Sequence, residues 1–375
     1  MRVAVLGSTG FLGEQILEVL AHNPDFRIVL LGGFRNTAKL LRQAEVFQPL
    51  YVYSPYLEKS MSFLSLTSSK ELKDVLLSEE IDGVFFAASG ISLLEIFYKL
   101  LEAGKPLWVG SKELIILIGD LKGPGLLRQY SNLIPLDSEH NALWQILKMF
   151  PCDEVEKVYI TASGGPFYEW RGPLSDITPE MALAHPNWKM GTKITVDSAN
   201  LVNKGLEVME AFFLFGIPSE KIDVLIQRES IVHVLVETKD GFIFGVLAPP
   251  DMRLVIQNAI APERRFNPFR RLSFSELRIL RFDYPVPSSR FPGFYLALEA
   301  LSKGRGYPTL FCGADEACVH HFLLRDIPFD EIPRVLEQVL EERVLPPHDV
   351  SQLEHLFALG FAKAQDVIRQ RSALR

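Results

Sequence analysis

The 375-residue sequence has few cysteines and lacks the runs that are typical of membrane, secreted or nucleic-acid-binding chains. Its three cysteines, Cys152, Cys312 and Cys318, are scattered and form no CxxC pair, which fits a reducing compartment. No stretch approaches the roughly 18 apolar residues of a membrane span, and the first apolar run is too short for a signal peptide. No Lys/Arg run offsets the net charge of −7. We therefore expect a cytoplasmic protein that binds neither membrane nor nucleic acid.

Strand and helix patterns alternate up to about residue 136. "RVAVLG", "FRIVLLGG", "IDGVFFAAS" and "LIPL" are apolar runs of strand length, and segments such as "EQILEVLAHN" between them have helical periodicity. This alternation predicts an α/β fold with an N-terminal, Rossmann-like, doubly wound parallel sheet.

The pattern changes after about residue 155. "KVYITASGGPF", "KITVDSAN" and "IDVLIQRESIVHVLVETKDGFIFGVLAPP" predict strands, with Asp240-Gly241 as a hairpin turn. Residues 263–290 are basic and rich in Pro and Ser, and the rest has helical spacing. We expect an NADPH-binding domain (1–130), a central α+β catalytic domain (131–262), a connector (263–290) and a C-terminal helical domain (291–375).

A glycine-rich loop follows the first predicted strand. Gly7, Gly10 and Gly13 lie between a strand and a helix, where the backbone can approach a pyrophosphate and the helix N-terminus can donate N–H groups to it. The alternative is a tight turn without a ligand. The second strand ends in "GGFRN", with Arg35 and Asn36 and no acid, which favours the 2′-phosphate of NADP(H) over NAD unless Arg35 is only a solvated loop residue.

Two carboxylates follow the "LIPL" strand. Asp137 and Glu139 would repel each other unless a cation neutralised them, and hard oxygen ligands favour Mg²⁺ or Mn²⁺. The alternative is a helix N-cap, with Asp137 or Ser138 capping a helix that begins near Asn141. Glu207 is a candidate third carboxylate.

Glu207 belongs to "VDSANLVNKGLEVMEAF", a pattern that predicts a strand end followed by an amphipathic helix. Asn203 and Lys204 share one helix face with Glu207 because they precede it by four and three residues. Ser163, before Gly164-Gly165, and Ser198, placed at the start of the Asn203 helix, are candidate anion binders. Either serine could instead belong to a simple turn or cap.

A loop at residues 185–191 contains a tryptophan. In "AHPNWKMGTK", Trp188 lies between Pro186 and Gly191. Such a residue either packs on the core or belongs to a lid that closes over a substrate.

These motifs, taken in order, resemble a known family. "GSTGFLG", "GSKEL", "LDSEHNALWQ", "TASGGPF", "HPNWKMG" and "VDSANLVNKGLEVMEA" resemble the signatures of the 1-deoxy-D-xylulose 5-phosphate reductoisomerase family. The resemblance implies a homodimeric enzyme of non-mevalonate isoprenoid biosynthesis. It would rearrange the carbon skeleton of that sugar phosphate with a divalent metal, Mg²⁺ or Mn²⁺, and reduce the product with NADPH to 2-C-methyl-D-erythritol 4-phosphate.

The resemblance also assigns site residues. The metal ligands would be Asp137, Glu139 and Glu207, and the catalytic residues would be Lys112, Glu139 and Glu207. The substrate would contact Lys112, Ser138, Glu139, Ser163, His185, Trp188, Ser198, Asn203, Lys204 and Glu207. NADPH would contact Ser8, Thr9, Gly10, Phe11, Leu12, Arg35, Asn36, Ser111, Glu113 and Gly191.

Some positions depart from the usual family pattern. Phe11 and Phe34 stand where small residues are common, Ser111 replaces an Asn, and "QRES" at 227–230 replaces "HPQS". Two other functions remain open from the residues alone. They are a metal-independent NADP-dependent sugar-phosphate dehydrogenase, whose activity would survive chelation, and a catalytically silent NADP-binding regulator.

Overall fold

The computed structural model describes residues 1–57, 63–263 and 269–373. The chain divides into two compact units. The first comprises Met1–Leu114, Leu127–Asn141 and Asp251–Arg270, and the second comprises Ile115–Leu126, Ala142–Pro250 and Arg271–Arg375. The predicted three-domain division with its connector stays a prediction.

The first unit contains a seven-stranded parallel sheet, as the sequence predicts. Its strands are β1 (Arg2–Leu6), β2 (Arg27–Gly32), β3 (Tyr51–Tyr53), β4 (Leu64–Leu66), β5 (Gly83–Phe86), β6 (Leu107–Val109) and β7 (Leu133–Pro135). The strand order is β4-β3-β2-β1-β5-β6-β7, so the order reverses beside β1 and the carboxyl ends of β1 and β5 lie next to each other. Ligands bind outside such a reversal point in doubly wound sheets.

The helices within the described residues are α1 (Phe11–Ala21), α2 (Thr37–Phe47), α3 (Ser69–Leu77), α4 (Leu94–Glu102), α5 (Lys112–Lys122), α6 (Leu126–Gln129), α7 (Ser138–Ile146), α8 (Pro179–Ala182), α9 (Thr192–Ala199), α10 (Val202–Phe215), α11 (Met252–Ile260), α12 (Pro292–Ser302), α13 (Tyr307–Leu323), α14 (Glu331–Val339) and α15 (Val350–Ala373). In the first unit, α1 and α11 pack on the sheet, where Val5, Ile16 and Ile256 share one apolar core.

The second unit contains a mixed sheet of β8 (Val155–Ala162), β9 (Ile222–Ile226), β10 (Val232–Thr238) and β11 (Ile243–Leu247). The order is β11-β10-β8-β9, with only β8 and β9 parallel. The predicted hairpin turn at Asp240-Gly241 is confirmed, because β10 and β11 are antiparallel and Gly241 has φ +86°. A glycine adopts this left-handed conformation without steric cost.

The strand predicted at "KITVDSAN" is wrong. These residues form α9, in which Thr195 and Val196 are buried. Thr, Ile and Val favour strands, but the local preference is under about 1 kcal/mol per residue and tertiary burial overrides it. The amphipathic character predicted for the following helix is also wrong, since α10 is buried along almost its whole surface.

The C-terminal part of the second unit is helical, as predicted, and α13 and α15 pack along each other. In the described residues of the predicted connector, 263 and 269–290, the backbone forms neither helix nor strand apart from one bridge between Asp283 and Ile226. Residues 264–268 lie outside the described chain. None of the described helices combines the length and apolar character needed to cross a membrane.

Candidate active site

The glycine loop between β1 and α1 has the geometry of a pyrophosphate cradle. Gly7 has φ +87°, and a Cβ there would lie 2.5 Å from the backbone nitrogen of Ala88. A Cβ at Gly13 would lie 2.1 Å from the Gly7 carbonyl oxygen. Gly10 is the N-cap of α1. Because glycine has no side chain, it cannot itself bond the N–H groups of the first helical turn. These donors fit a phosphate group.

The side chains of the loop differ in where they point. Ser8 is fully buried, and its hydroxyl donates to Gln43 Oε1 at 2.9 Å. Its backbone oxygen accepts from Gln43 Nε2. Thr9, Phe11 and Leu12 are partly exposed along the loop. The Ser8 hydroxyl is therefore bonded to α2, and the contact of Ser8 with the cofactor stays a prediction.

The end of β2 presents a cation without an acid, as the sequence predicts. Arg35 is exposed between β2 and α2. Asn36 is the N-cap of α2 and accepts from the Lys39 backbone N–H at 3.1 Å. Phe34 is also exposed, and its ring meets Tyr56 edge to face, with centroids 5.4 Å apart. The exposed guanidinium suits a 2′-phosphate.

Asp137 is the N-cap of α7, which begins at Ser138 rather than near Asn141 as predicted. Its Oδ1 accepts from the backbone N–H groups of Glu139 and His140 at 3.0 and 3.2 Å, and is 2.7 Å from His140 Nδ1. Its Oδ2 accepts from the ammonium group of Lys112. The cap interpretation is therefore correct, and the carboxylate is also held by two basic side chains.

Glu139 lies beside this cap. Its Oε2 accepts from the hydroxyl of Ser138 at 2.7 Å, and a carboxylate oxygen of Glu139 lies within 4.8 Å of one from Asp137. Two hard oxygen donors at this separation fit Mg²⁺ or Mn²⁺ better than a softer metal.

Near the start of α5, the Ser111 hydroxyl donates to Glu113 Oε2 at 3.2 Å.

Three polar residues of α10 form a buried group in the second unit. Asn203 Nδ2 and Lys204 Nζ each donate to Glu207, to Oε1 and Oε2 respectively, both at 2.6 Å. Glu207 is 1% exposed. This confirms that the three share one face. Burying an ion pair costs desolvation free energy, and a pair that only stabilises a helix can avoid this cost at the surface. The burial of this pair therefore supports a functional role.

Ser163 and His185 are hydrogen-bonded in the same unit, with Ser163 Oγ 3.1 Å from His185 Nε2. His185 Nδ1 accepts from the backbone N–H groups of Asn187 and Trp188, so the ring proton lies on Nε2 and is donated to Ser163. Gly165 N–H also donates to Ser163 Oγ, at 3.1 Å. With two donors on its oxygen, the Ser163 hydroxyl can direct its own proton at a ligand oxygen.

The His185 ring is held neutral. Burial, together with the nearby charges of Lys204 and Arg228, lowers the pKa of His185 to about 4. The same charges favour an anion at this position. The fold thus brings Ser163 and His185 together, with the Lys204 charge near the ring.

Ser198 does not begin the Asn203 helix, and this prediction is wrong. It lies in the last turn of α9, whose dipole is negative at that end, so the dipole argument made for it fails. It still lies beside the glycine pair, since a Cβ at Gly165 would be 2.7 Å from the Ser198 carbonyl oxygen. Gly191 precedes α9 as its N-cap, with no atom within 4 Å of a Cβ built there.

The loop at 185–191 is tied to a segment that the sequence reasoning did not include in the site. Trp188 is half-buried with its ring edge toward His233, at 6.3 Å between centroids. Asn187 Nδ2 donates to the Arg228 carbonyl oxygen at 2.6 Å and to Ser230 Oγ at 2.9 Å. The departure of "QRES" from the usual family pattern was the only sequence signal that pointed to Arg228.

The whole chain resembles one family. Models described as 1-deoxy-D-xylulose 5-phosphate reductoisomerase match residues 3–119, and models of its C-terminal domains match 133–215 and 247–364. The 1-deoxy-D-xylulose 5-phosphate reductoisomerase of Persephonella marina is 43% identical over 344 residues, 91% of each chain.

Solved structures agree with the sequence matches. A DOX-P reductoisomerase in complex with NADPH, fosmidomycin and magnesium superposes with a TM-score of 0.88 at 28% identity, covering 100% of this chain and 98% of that one. The Zymomonas mobilis enzyme in complex with NADPH has a TM-score of 0.85 at 30% identity, covering 98% of each chain.

Proposed function

The chain belongs to the 1-deoxy-D-xylulose 5-phosphate reductoisomerase family, and from this premise we propose how its residues divide the reaction among them. It is an NADP-dependent oxidoreductase of isoprenoid biosynthesis that uses NADPH and a divalent metal. The observation that carries the residue assignment is that each unit contains its own preorganised carboxylate group. One is the Asp137–Glu139 cap, and the other is the buried Glu207 group on α10.

We propose that the glycine loop and the end of β2 bind NADPH. The backbone of Gly10 to Leu12 would meet the pyrophosphate, and Arg35 with Asn36 would meet the 2′-phosphate. Ser8, Thr9, Ser111, Glu113 and Gly191 complete the assignment. The nicotinamide supplies the hydride, and the protein orients it.

We propose Asp137, Glu139 and Glu207 as the metal ligands. All three would offer carboxylate oxygens to the metal, and hydrogen bonds within their own units hold these carboxylates in place. Carboxylate oxygens favour a hard cation. A bound divalent cation supplies Lewis-acid stabilisation of charge on substrate oxygens. Lys112 is held at Asp137, and its ammonium group can donate to a substrate oxygen.

We propose that the sugar phosphate is anchored by its phosphate. Ser163, Ser198, Asn203 and Lys204 would contact the phosphate oxygens, and His185 would fix the Ser163 hydroxyl by donating to it. Ser138 would contact the substrate backbone, and the loop with Trp188 would close over it. A remote anchor of this kind positions the reacting carbons and supplies binding energy that lowers the barrier.

The direct test is oxidation of NADPH by the purified protein with 1-deoxy-D-xylulose 5-phosphate, with and without Mg²⁺ or Mn²⁺. We expect turnover only with the metal. Glu207→Gln keeps the size of the side chain and removes its charge, and should lower kcat/KM at least ~100-fold, about 2.7 kcal/mol of transition-state stabilisation. NADPH binding should stay near wild type.

Two outcomes would contradict the assignment. Activity that survives chelation would favour a metal-independent dehydrogenase, and NADPH binding without turnover would favour a regulator. Glu237→Gln is a matched control, since this glutamate of β10 bonds Tyr159 and has no proposed part in the site. It should keep both the activity and its metal dependence.

We also propose a homodimer, supported by the edge strand β11. Within the described sheet β11 pairs only with β10, and it exposes Ile243 and Phe244, with Phe242 66% exposed beside them. An apolar edge of this kind pairs readily with another chain. Ile243→Lys should shift the sedimentation coefficient from dimer to monomer, and a wild-type monomer at micromolar concentration would refute the proposal.

We propose that the protein works in the cytoplasm. None of its three cysteines forms a disulfide, which fits a reducing compartment. Fractionation of the source cells should recover the protein with cytosolic enzymes. Recovery in a membrane or secreted fraction would contradict this.

A further inference from the structure

Arg228 joins two loops that the phosphate pocket depends on. It lies between β9 and β10, within 227–230, where the sequence departs from the usual family pattern. Its Nη1 donates to the carbonyl oxygens of Ser163 and Gly165, the latter at 2.9 Å. The guanidinium carbon also lies 5.5 Å from the centroid of the Tyr168 ring.

The two carbonyls bracket a turn that requires glycine. Gly164 and Gly165 have φ +77° and +64°, so two successive residues adopt left-handed conformations. Successive N–H groups in such a turn can converge on an anion. The Ser163 carbonyl shares its peptide plane with the Gly164 N–H, and the Gly165 carbonyl shares its plane with the nitrogen of Pro166. A single guanidinium on both carbonyls therefore restrains the two planes on either side of the 164–165 peptide, whose N–H donates to the Ser163 hydroxyl oxygen.

The main chain of the same residue holds the loop at 185–191. The Arg228 carbonyl and Ser230 Oγ both accept from the side chain of Asn187. Asn187 N–H in turn donates to His185 Nδ1 at 3.2 Å, which sets the tautomer of the ring that donates to Ser163. Both routes from Arg228, one through its side chain and one through its backbone, therefore end at the Ser163 hydroxyl.

We propose that Arg228 is a positioning residue that couples the glycine turn at 163–165 to the loop at 185–191, so that affinity for the phosphate of the substrate depends on it. The inference rests on the proposed phosphate pocket. Arg228 acts through Ser163 and His185 rather than on the reacting atoms.

The test compares Arg228→Gln, which removes the charge, with Arg228→Lys, which keeps a charged donor. We expect Arg228→Gln to raise KM for 1-deoxy-D-xylulose 5-phosphate at least tenfold and to leave KM for NADPH within twofold. Arg228→Lys should recover to within about threefold of wild type. Arg171→Gln is the matched control, since this arginine is exposed, and it should change neither constant.

A double-mutant cycle with Asn187→Ala tests the coupling itself. Asn187→Ala breaks the link at the loop and leaves the Arg228 guanidinium in place, so it also reports if Arg228→Gln fails to fold. We expect Asn187→Ala to raise the substrate KM several-fold. We also expect the combined loss in the double variant to fall below the product of the two single losses.

The outcomes separate the inference from the proposed function. If wild type turns over the substrate and Arg228→Gln keeps its KM, or if both constants change equally, Arg228 has no positioning role. If Asn187→Ala leaves KM unchanged, or the losses multiply, the two loops are not coupled through it. If wild type neither turns over the substrate nor binds fosmidomycin, the proposed function itself fails, whatever the variants do.

Discussion

Gly10 and Gly13 belong to the same loop, but the structure assigns them different reasons for being glycine. Gly13 is buried in α1, and a Cβ there would lie 2.1 Å from the Gly7 carbonyl oxygen and 2.6 Å from the Ser8 Cα. Both are backbone atoms, so the loop itself would have to move. Gly10 is exposed, with φ −79°, and a Cβ there would lie 3.3 Å from the nearest atom. Because a small shift of the Gly7 carbonyl would relieve that single contact, the proposed ligand is the stronger reason for glycine at this position.

The magnitudes follow from this geometry. Overpacking against backbone costs about 3 kcal/mol, and replacing glycine by alanine within a helix returns about 1 kcal/mol, so Gly13→Ala should destabilise the fold by roughly 2 kcal/mol. Gly10→Ala should cost less than about 1 kcal/mol of stability. Its methyl group would instead stand where a pyrophosphate approaches, which should raise the Kd for NADPH at least ~10-fold, about 1.4 kcal/mol.

Two measurements on both variants distinguish the steric requirement for glycine from the ligand-binding one. Chemical denaturation gives the free energy of unfolding, and titration of NADPH fluorescence gives the Kd. We expect Gly13→Ala mainly to lower the free energy of unfolding, and Gly10→Ala mainly to raise the Kd for NADPH. A Gly10→Ala variant that binds NADPH like wild type would refute the cofactor role of the loop. A Gly13→Ala variant as stable as wild type would refute the steric argument.

Three further predictions concern single side chains. Arg35→Ala should raise KM for NADPH about tenfold or more and leave NADH nearly unchanged, because only NADPH has the 2′-phosphate; equal losses would contradict this. The His185 ring should titrate near pH 4 by NMR. Since the unfolded ring binds its proton near pH 6.5, the unfolded state binds more protons between these values, and the free energy of unfolding should fall as the pH drops from 6.5 to 4. A midpoint near 6.5 would refute the burial argument. Trp188 fluorescence should change, and proteolysis within 185–191 should slow, when a phosphonate analogue binds with NADPH; no change would indicate a packed core tryptophan.

The parallel sheet could be predicted from the sequence because its strands are buried on both faces and form continuous apolar runs. Such runs, separated by helical periodicity, leave few other folds open. The strand β4 was missed because "LSL" is short and half polar. The helix α9 was predicted as a strand because Thr, Ile and Val favour strands locally, and nothing in the sequence shows that the rest of the unit buries them as a helix.

The candidate site was predictable in its parts and less so in its contacts. The spacing of Asn203, Lys204 and Glu207 fixes their common face because three- and four-residue steps align on any helix. The link from Ser163 to His185 joins residues 22 apart through a loop without periodicity. Arg228 lies 65 residues from the carbonyl of Ser163 that it contacts, so only the folded chain brings them together.

The choice between cap and ligand at Asp137 was not a choice between exclusive alternatives. Its Oδ1 accepts the cap N–H groups and lies against His140 Nδ1, while Oδ2 takes no part in the cap and accepts the Lys112 ammonium, so different oxygens of one carboxylate can serve the cap and a ligand. Asn36 likewise caps α2 while standing at the predicted 2′-phosphate site. Ligands of a parallel sheet bind where strands end and helices begin, and helix caps occupy that same boundary. One polar residue there can meet both requirements, because the cap fixes the side chain in the orientation that a ligand then meets. A cap pattern at the carboxyl end of a buried parallel strand therefore does not count against a functional role.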